Sequence, residues 1–118
     1  ARRAGRRGLR RRGGDQGGVA GTTAVRDGVV QCVGDAYGQA RVALQIVVDA
    51  LEDCGAAPSD VVRTRMYVVD IADWKQVGRA HAEVFADVRP AATMVQVAAL
   101  IDADMLVEIE VEAVVRRP

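Results

Sequence analysis

Aromatic side chains are scarce in this chain of 118 residues. It contains one Trp, one Phe and two Tyr, so aromatics make up 3% of the sequence, while half of the residues are apolar. The core must therefore be built from Val, Ala, Leu and Ile. A chain of this length is expected to form one domain, and association between subunits would add to the surface that it buries.

Other absences argue against several classes of protein. No apolar run is long enough to span a bilayer, so no membrane contact is predicted, and no apolar stretch follows the basic start as a secretory signal requires. Cys32 and Cys54 form neither a CxxC motif nor a Cys/His spacing, so we predict no metal site and no cofactor. Two reduced thiols and a cytoplasmic location are expected.

The charge is distributed unevenly, although the formal net charge is zero. Residues 1–12 hold seven arginines and no acidic residue. The rest of the chain therefore has nine basic and sixteen acidic residues, which gives it a net charge of −7. Residues 1–18 are rich in Arg and Gly and offer almost nothing to bury, so we predict a poorly ordered or atypical start. A first strand would be short, begin near Gly18 or be missing. Residues 19–118 form the predicted domain.

Hydrophobic periodicity predicts two helices and five strands, the first two of them weak candidates. Strand candidates cover residues 19–24 and 29–33, with a turn at residues 26–28. A helix capped by Asp35 runs to about residue 53, where Gly55 stops it, and a second is capped by Asp73 with Gln76 as its capping-box partner and ended by Pro90. Its apolar stripe comprises Trp74, Val77, Ala80, His81, Val84, Phe85 and Val88. Strands at residues 61–69, 93–100 and 106–115 complete a β-β-α-β-α-β-β order, which predicts an α+β sandwich with helices on one sheet face.

The last predicted strand has one apolar face and one acidic face. Glu108, Glu110 and Glu112 alternate with apolar residues, and successive side chains of a strand point to opposite faces. On the strand from residue 61, we place Val62, Thr64, Met66 and Val68 towards the helices. The uncovered face is then predicted to carry Arg63, Arg65, Tyr67, Met94, Gln96, Glu108, Glu110 and Glu112. Its mixed charge suits a wet interface between subunits, with plain solvent exposure as the alternative.

Two runs in the last third of the chain resemble the signature of the RidA/YjgF family, the reactive-intermediate deaminases also called endoribonuclease L-PSP-like proteins. They are RPAATMVQV at residues 89–97 and LVEIE at residues 106–110. Residues 60–74 and 20–24 are also similar to the family, so the resemblance extends from about residue 19 to residue 116. It implies a chorismate-mutase-like fold, a homotrimer with small-molecule pockets between subunits, and hydrolysis of enamines and imines.

The resemblance also assigns site residues one at a time. Glu108 matches the last-strand glutamate that orients water, and Gly21 matches the glycine of a Ser-Gly pair whose serine is Ala20 here. Ala92 stands where the family has its carboxylate-binding arginine, and Met94 where it often has a cysteine. Thr22 and Thr93 flank these positions and complete the predicted ligand-binding set. Because alanine cannot bind a carboxylate, hydrolysis of 2-imino acids is expected to be weak, and Arg89 lies at an unfavourable strand parity to replace the arginine.

Each of these residues also has a plainer interpretation. Glu108 could be one of three solvated glutamates, Thr22 a strand or turn hydroxyl, and Met94 a packing residue. Arg63 and Arg65 are better explained as partners of the glutamates than as ligand binders. His81 is better explained as a packed or surface residue of the second helix than as a catalyst.

Three hypotheses about function remain open at this point. The first is a protein that binds a small enamine or imine; if it is an enzyme, it hydrolyses the C–N bond of that ligand. The second is a non-catalytic module that senses a ligand or mediates an interaction. The third is an RNA-associated protein, ribonuclease or translation inhibitor acting through its basic start. No aromatic residues interleave with those arginines, so a solvated tail is favoured over nucleic-acid binding.

Overall fold

The computed structural model describes residues 9–12 and 16–115 of the chain. The predicted α+β architecture is confirmed: two helices pack on one face of a mixed sheet. The strands of this sheet are β1 (Leu9–Arg12), β2 (Gln16–Thr22), β5 (Val61–Val68), β6 (Ala91–Gln96) and β7 (Val107–Val114). Their order across the sheet is β1-β2-β7-β5-β6. A separate small hairpin joins β3 (Val25–Arg26) to β4 (Val29–Val30).

The start of the described chain forms a hairpin at one edge of the sheet. Strand β1 pairs antiparallel with β2, from Leu9 opposite Val19 to Arg12 opposite Gln16. Strand β2 then pairs antiparallel with β7. Residues 1–8 and 13–15 lie outside the described part of the chain, so the expectation of a poorly ordered start at residues 1–18 stays a prediction.

Helix α1 (Ala36–Asp53) is the longer of the two described helices, and its ends match the sequence prediction. The carboxylate of Asp35 accepts a hydrogen bond from the backbone N–H of Gly38, which satisfies one of the unpaired donors at the helix start. Gly55, just beyond the helix, adopts φ of +79°, a conformation that glycine reaches without steric cost.

Helix α2 (Trp74–Phe85) begins where the sequence predicts, with Asp73 at its N-cap position, but departs from the prediction in its capping bonds and in its end. The side chain of Asp73 makes no capping bond, so the predicted capping box is wrong; Asp70 instead accepts a hydrogen bond from the backbone of Ala72, in the 3₁₀ turn before the helix. The helix ends at Phe85, well before Pro90. Trp74 is 54% exposed and is not part of the buried stripe.

The core lies between the helices and the sheet and is aliphatic, as the composition predicts. Val61, Met66 and Val68 of β5 and the four buried residues of β7, Val107, Ile109, Val111 and Ala113, face the helices. A bulge between Val61 and Arg63 shifts the pairing of β5 with β7, so Val61 is buried and Val62 is 46% exposed, contrary to prediction. The largest fully buried apolar side chains are Phe85, Leu44, Leu51, Ile109, Val47, Val68, Val77 and Val107.

Neither of the helices described combines the length and the apolar character that a bilayer crossing requires.

Candidate functional site

The sheet face away from the helices brings the acidic residues of β7 opposite polar residues of β5. In the antiparallel register Tyr67 lies opposite Glu108, Arg65 opposite Glu110, and Arg63 opposite Glu112. Side chains directly opposite each other on one face are close enough to interact. The prediction that Arg63, Arg65 and Tyr67 share the face of the three glutamates is therefore confirmed.

Two of the three glutamates are held by partners on β5. Arg65 Nη1 lies 2.9 Å from Glu112 Oε1, as a hydrogen-bonded ion pair, and 3.7 Å from Glu110 Oε1. The hydroxyl of Tyr67 donates a 2.6 Å hydrogen bond to Glu110 Oε1. That bond, together with partial desolvation, raises the pKa of Tyr67, because the neighbouring negative charge disfavours a second anion. Arg65 thus acts as a partner of the glutamates, as predicted.

Glu108 differs from its two neighbours, since no described side chain or backbone group forms a hydrogen bond or ion pair with it. Its carboxylate lies against Gly21 instead: a Cβ placed on Gly21 would lie 2.7 Å from Glu108 Oε1. The pairing of β2 with β7 slips by one residue between Val19 and Thr22, and this bulge places Gly21 beside Glu108. Only glycine leaves room for the carboxylate in its present position.

Glu108 and Gly21 line an open cavity of about 410 Å³ at this end of the sheet. Tyr67 and Glu110 form its polar floor, and the segment after β6 supplies an apolar wall. The complete lining is Gly21, Tyr67, Val97, Ala99, Leu100, Glu108 and Glu110. The sequence interpretation missed the apolar wall, although the short acidic turn between the last two strands placed this segment next to Glu108 along the chain.

The other predicted site residues lie away from this cavity. Ala92 is paired with Thr64, and Met94 with Met66, in the parallel register of β5 and β6. Paired residues share a face, and Thr64 and Met66 are buried on the helix side, so Ala92 and Met94 belong to that side as well. The assignment of Met94 and Gln96 to the uncovered face is therefore wrong. The Gln96 side chain accepts a hydrogen bond from the backbone of Ile71, next to helix α2.

The two threonines of the predicted set occupy different surroundings. Thr93 is exposed and is paired with Arg65, which places it on the glutamate-bearing face. The Thr22 hydroxyl donates a 2.9 Å hydrogen bond to the backbone carbonyl of Ala20, across the β2 bulge. Thr22 therefore has a local structural role at the edge of the cavity.

A buried polar pair lies on the helix side of the sheet. His81 Nε2 is 2.9 Å from the hydroxyl of Thr64, which is fully buried, and the His81 ring packs 4.9 Å from the ring of Phe85. Burial lowers the pKa of His81, because desolvation disfavours the imidazolium. This geometry fits the interpretation of His81 as a packed residue.

Gln39 is a structural residue that the sequence interpretation missed. It is fully buried on α1, and its amide donates a 2.8 Å bond to the Asp104 carbonyl while its oxygen accepts a 2.8 Å bond from the Leu106 N–H. Those two residues end the segment that lines the cavity and lead into β7. Gln39 therefore ties helix α1 to the chain two residues before Glu108.

A second cavity of about 540 Å³ lies on the outer surface of the helices, with Tyr37 and Glu83 in its lining. The Arg79 guanidinium lies 3.8 Å from the Tyr37 ring centroid, and the Tyr37 hydroxyl donates a hydrogen bond to the Glu83 carboxylate. Within the described residues, no three His, Cys, Asp or Glu side chains are arranged to hold a metal ion.

The fold and the cavity together define a class of protein: a small α+β domain with a solvent-facing glutamate on its last strand, beside a glycine at a strand bulge. The family profile described as Endoribonuclease L-PSP matches residues 13–115. The chain belongs to this family, the RidA/YjgF family.

Three similar proteins illustrate the relationship. A crystal structure from Mycobacterium tuberculosis, described as a member of the YjgF/YER057c/UK114 family, is 46% identical and superposes with a TM-score of 0.78 over 88% of this chain and 82% of that one. An uncharacterized protein of Streptomyces coelicolor is 42% identical over 85% of this chain and 75% of its own length. A 3-aminoacrylate deaminase of Acinetobacter baylyi is 36% identical over 65% of this chain, and the match spans 60% of the deaminase.

Proposed function

We propose that this protein is a homotrimer that binds a small enamine or imine in pockets between its subunits, and that Glu108 holds the water that hydrolyses the C–N bond. The observation that carries the proposal is the contrast along β7. Glu110 and Glu112 are engaged by Tyr67 and Arg65, whereas Glu108 faces a cavity with no partner among the described residues. A carboxylate of this kind is suited to accept a proton from water.

The sheet geometry supports a site shared between two chains. Glu108 and Gly21 lie on one face of the sheet, whereas Ala92 and Met94 lie on the other, on the edge strand β6. A single chain therefore cannot bring both groups into one pocket. A neighbouring subunit that places its β6 beside the Glu108 cavity would complete the site.

The chemistry assigned to Glu108 is the addition of water to an imine. The Glu108 carboxylate accepts a proton as the water oxygen bonds to the imine carbon, and the proton then passes to the nitrogen. The C–N bond of the resulting carbinolamine breaks, which yields a carbonyl compound and ammonia. An enamine reaches the same path after a proton adds to its carbon and another leaves its nitrogen, which converts it to the imine. The deaminase among the relatives is named for an enamine substrate, 3-aminoacrylate, which supports this reaction class.

The experiment that tests the proposal measures hydrolysis of 2-iminopropionate, generated in the assay, by wild type and variants. Since a charge-assisted hydrogen bond contributes roughly 1.5–3 kcal/mol, Ala92→Arg should raise the rate by about tenfold or more. Glu108→Gln in that background should remove the gain, whereas Glu112→Gln, on the same strand but outside the cavity, should retain it. Equal rates for Ala92→Arg with and without Glu108 would refute the role of Glu108.

A further inference from the structure

The charges around the Glu108 cavity are all of one sign. Two carboxylates, Glu108 and Glu110, line it together with the phenol of Tyr67, and the remaining lining is apolar or glycine. Tyr67 donates its hydroxyl to Glu110, so the phenol stays a neutral donor. Of the residues described as lining the cavity, none is a cation.

The arginines on the same sheet face are engaged or distant. Arg65 is bonded to Glu112, with Glu110 at 3.7 Å. Arg63 is paired with Glu112, four residues before Tyr67 on β5. At about 3.3 Å per strand residue this places it about 13 Å along the strand from the cavity. Arg65 is therefore committed to Glu112 and Glu110, and no cation among the described residues pairs with Glu108.

The wall expected from a neighbouring chain adds no charge either. Strand β6 has the sequence AATMVQ, in which every side chain is neutral, and its Ala92 offers no donor to a carboxylate. A ligand between the two walls would meet carboxylates on one side and uncharged groups on the other.

We propose that this cavity selects a small ligand that carries a protonated amine or iminium nitrogen and lacks a carboxylate; the inference rests on the proposed function and specifies its substrate class. A cation is attracted to Glu108 and to the face of the Tyr67 ring. An anion would meet the Glu108 carboxylate, which has no partner among the described residues, whereas Glu110 is already bonded to Tyr67 and paired with Arg65. The apolar wall of Val97, Ala99 and Leu100 accommodates a short hydrocarbon chain.

The test compares butylamine with butyrate, two probes with similar hydrocarbon chains and opposite charge at pH 7. Backbone amide NMR titration of the assembled protein should show saturable shifts around Gly21, Tyr67 and Leu100 with butylamine. Butyrate should bind at least about tenfold more weakly, since it meets the repulsion that butylamine does not. Glu108→Gln should weaken butylamine about tenfold, whereas Glu112→Gln should not, and added salt should weaken it in wild type.

Two results would overturn the inference in distinguishable ways. Butyrate that binds around Glu108 as tightly as butylamine would leave the site in place and refute its charge selectivity; Arg89→Gln would then show whether that arginine is the anchor. If neither probe shifts the residues of the cavity at concentrations up to about 100 mM, a dissociation constant that corresponds to about 1.4 kcal/mol of binding, both the inference and the proposed pocket fail.

Discussion

At the scale of single residues, the contact between Gly21 and Glu108 is the most sensitive feature of the site. The Cβ of Gly21→Ala would fall 2.7 Å from Glu108 Oε1. Because that atom ends a flexible side chain, the carboxylate should move and the free energy of unfolding should change by less than about 1 kcal/mol. Butylamine binding, measured by NMR titration, should nevertheless weaken severalfold.

Gly78→Ala is the matched control for that substitution. Gly78 lies in helix α2 with nothing within 4 Å of a Cβ, so alanine should stabilise the protein by about 0.5–1 kcal/mol and leave binding unchanged. If Gly21→Ala binds butylamine like wild type, the close contact has no role in positioning Glu108.

His81 gives the protein a pH-dependent contribution to stability. Burial lowers the pKa of folded His81 below the unfolded value of 6.5, so between these two pKa values the unfolded chain binds more protons. The His81 contribution is therefore complete above about pH 6.5 and declines as the pH falls towards the folded pKa. Urea unfolding at pH 7.5 and 5.5 should show a larger loss for wild type than for His81→Gln, which keeps a donor for Thr64. Equal losses would contradict this prediction.

Face assignments could be predicted from sequence for β5 beyond its bulge and for β7, where apolar and polar residues alternate, but not for β6. The alternation of β7 placed Glu108, Glu110 and Glu112 together correctly, because the apolar residues between them had to face the core. The face of Met94 depends instead on how β6 pairs with β5, and no local pattern in AATMVQ sets that register. The bulge in β2 that places Gly21 beside Glu108 could not be predicted from the sequence either, since an extra residue in a strand is defined only by its pairing with the neighbouring strand.

At the scale of the elements, Gln39 connects helix α1 to the segment that leads into β7. Gln39 is fully buried, and Gln39→Leu would leave the carbonyl of Asp104 and the N–H of Leu106 without their present partner at part-buried positions. An unsatisfied buried polar group costs about 1–3 kcal/mol, so urea denaturation should show a loss of about this order. Gln45→Leu, an exposed position on the same helix, should change stability by about 0.5 kcal/mol or less.

The helix ends show why some element boundaries were predictable. Asp35 and Gly55 act locally, through a cap and a left-handed residue, and both were identified from the sequence. Asp70 and Asp73 are both aspartates shortly before the helix, so residue type alone does not distinguish them as capping residues. Their roles were decided by the 3₁₀ turn that precedes α2, a feature that follows from how the chain leaves β5.

At the scale of the whole molecule, the proposed trimer predicts which surfaces are covered. Val95 lies on the exposed edge strand, is 42% exposed and is paired with Tyr67, whereas Val29 is 59% exposed on the β3–β4 hairpin. Sedimentation velocity should give wild type three times the 12.6 kDa chain mass. Val95→Lys should shift the protein towards monomer, because the interface between subunits would desolvate the lysine charge. Val29→Lys should leave the trimer intact. A monomeric wild type would contradict the shared pocket.

The arginine-rich start bears on how the whole protein would associate with RNA. If RNA association arises there, deletion of residues 1–14 should abolish binding to a short RNA in a gel-shift assay, with binding by the full chain falling steeply as salt rises. Retained binding after deletion would place any RNA contact elsewhere in the protein.

Strand β6 has a consequence for handling the protein. Its six uncharged residues lie at the sheet edge, paired only with β5 among the described strands, and five of the six are exposed. Exposed edge strands of this composition can pair with strands of other chains and start cross-β aggregation. If the proposed trimer covers this edge, a chain separated from its neighbours would be prone to fibril growth, and conditions that dissociate the trimer would favour insoluble material over a stable single subunit.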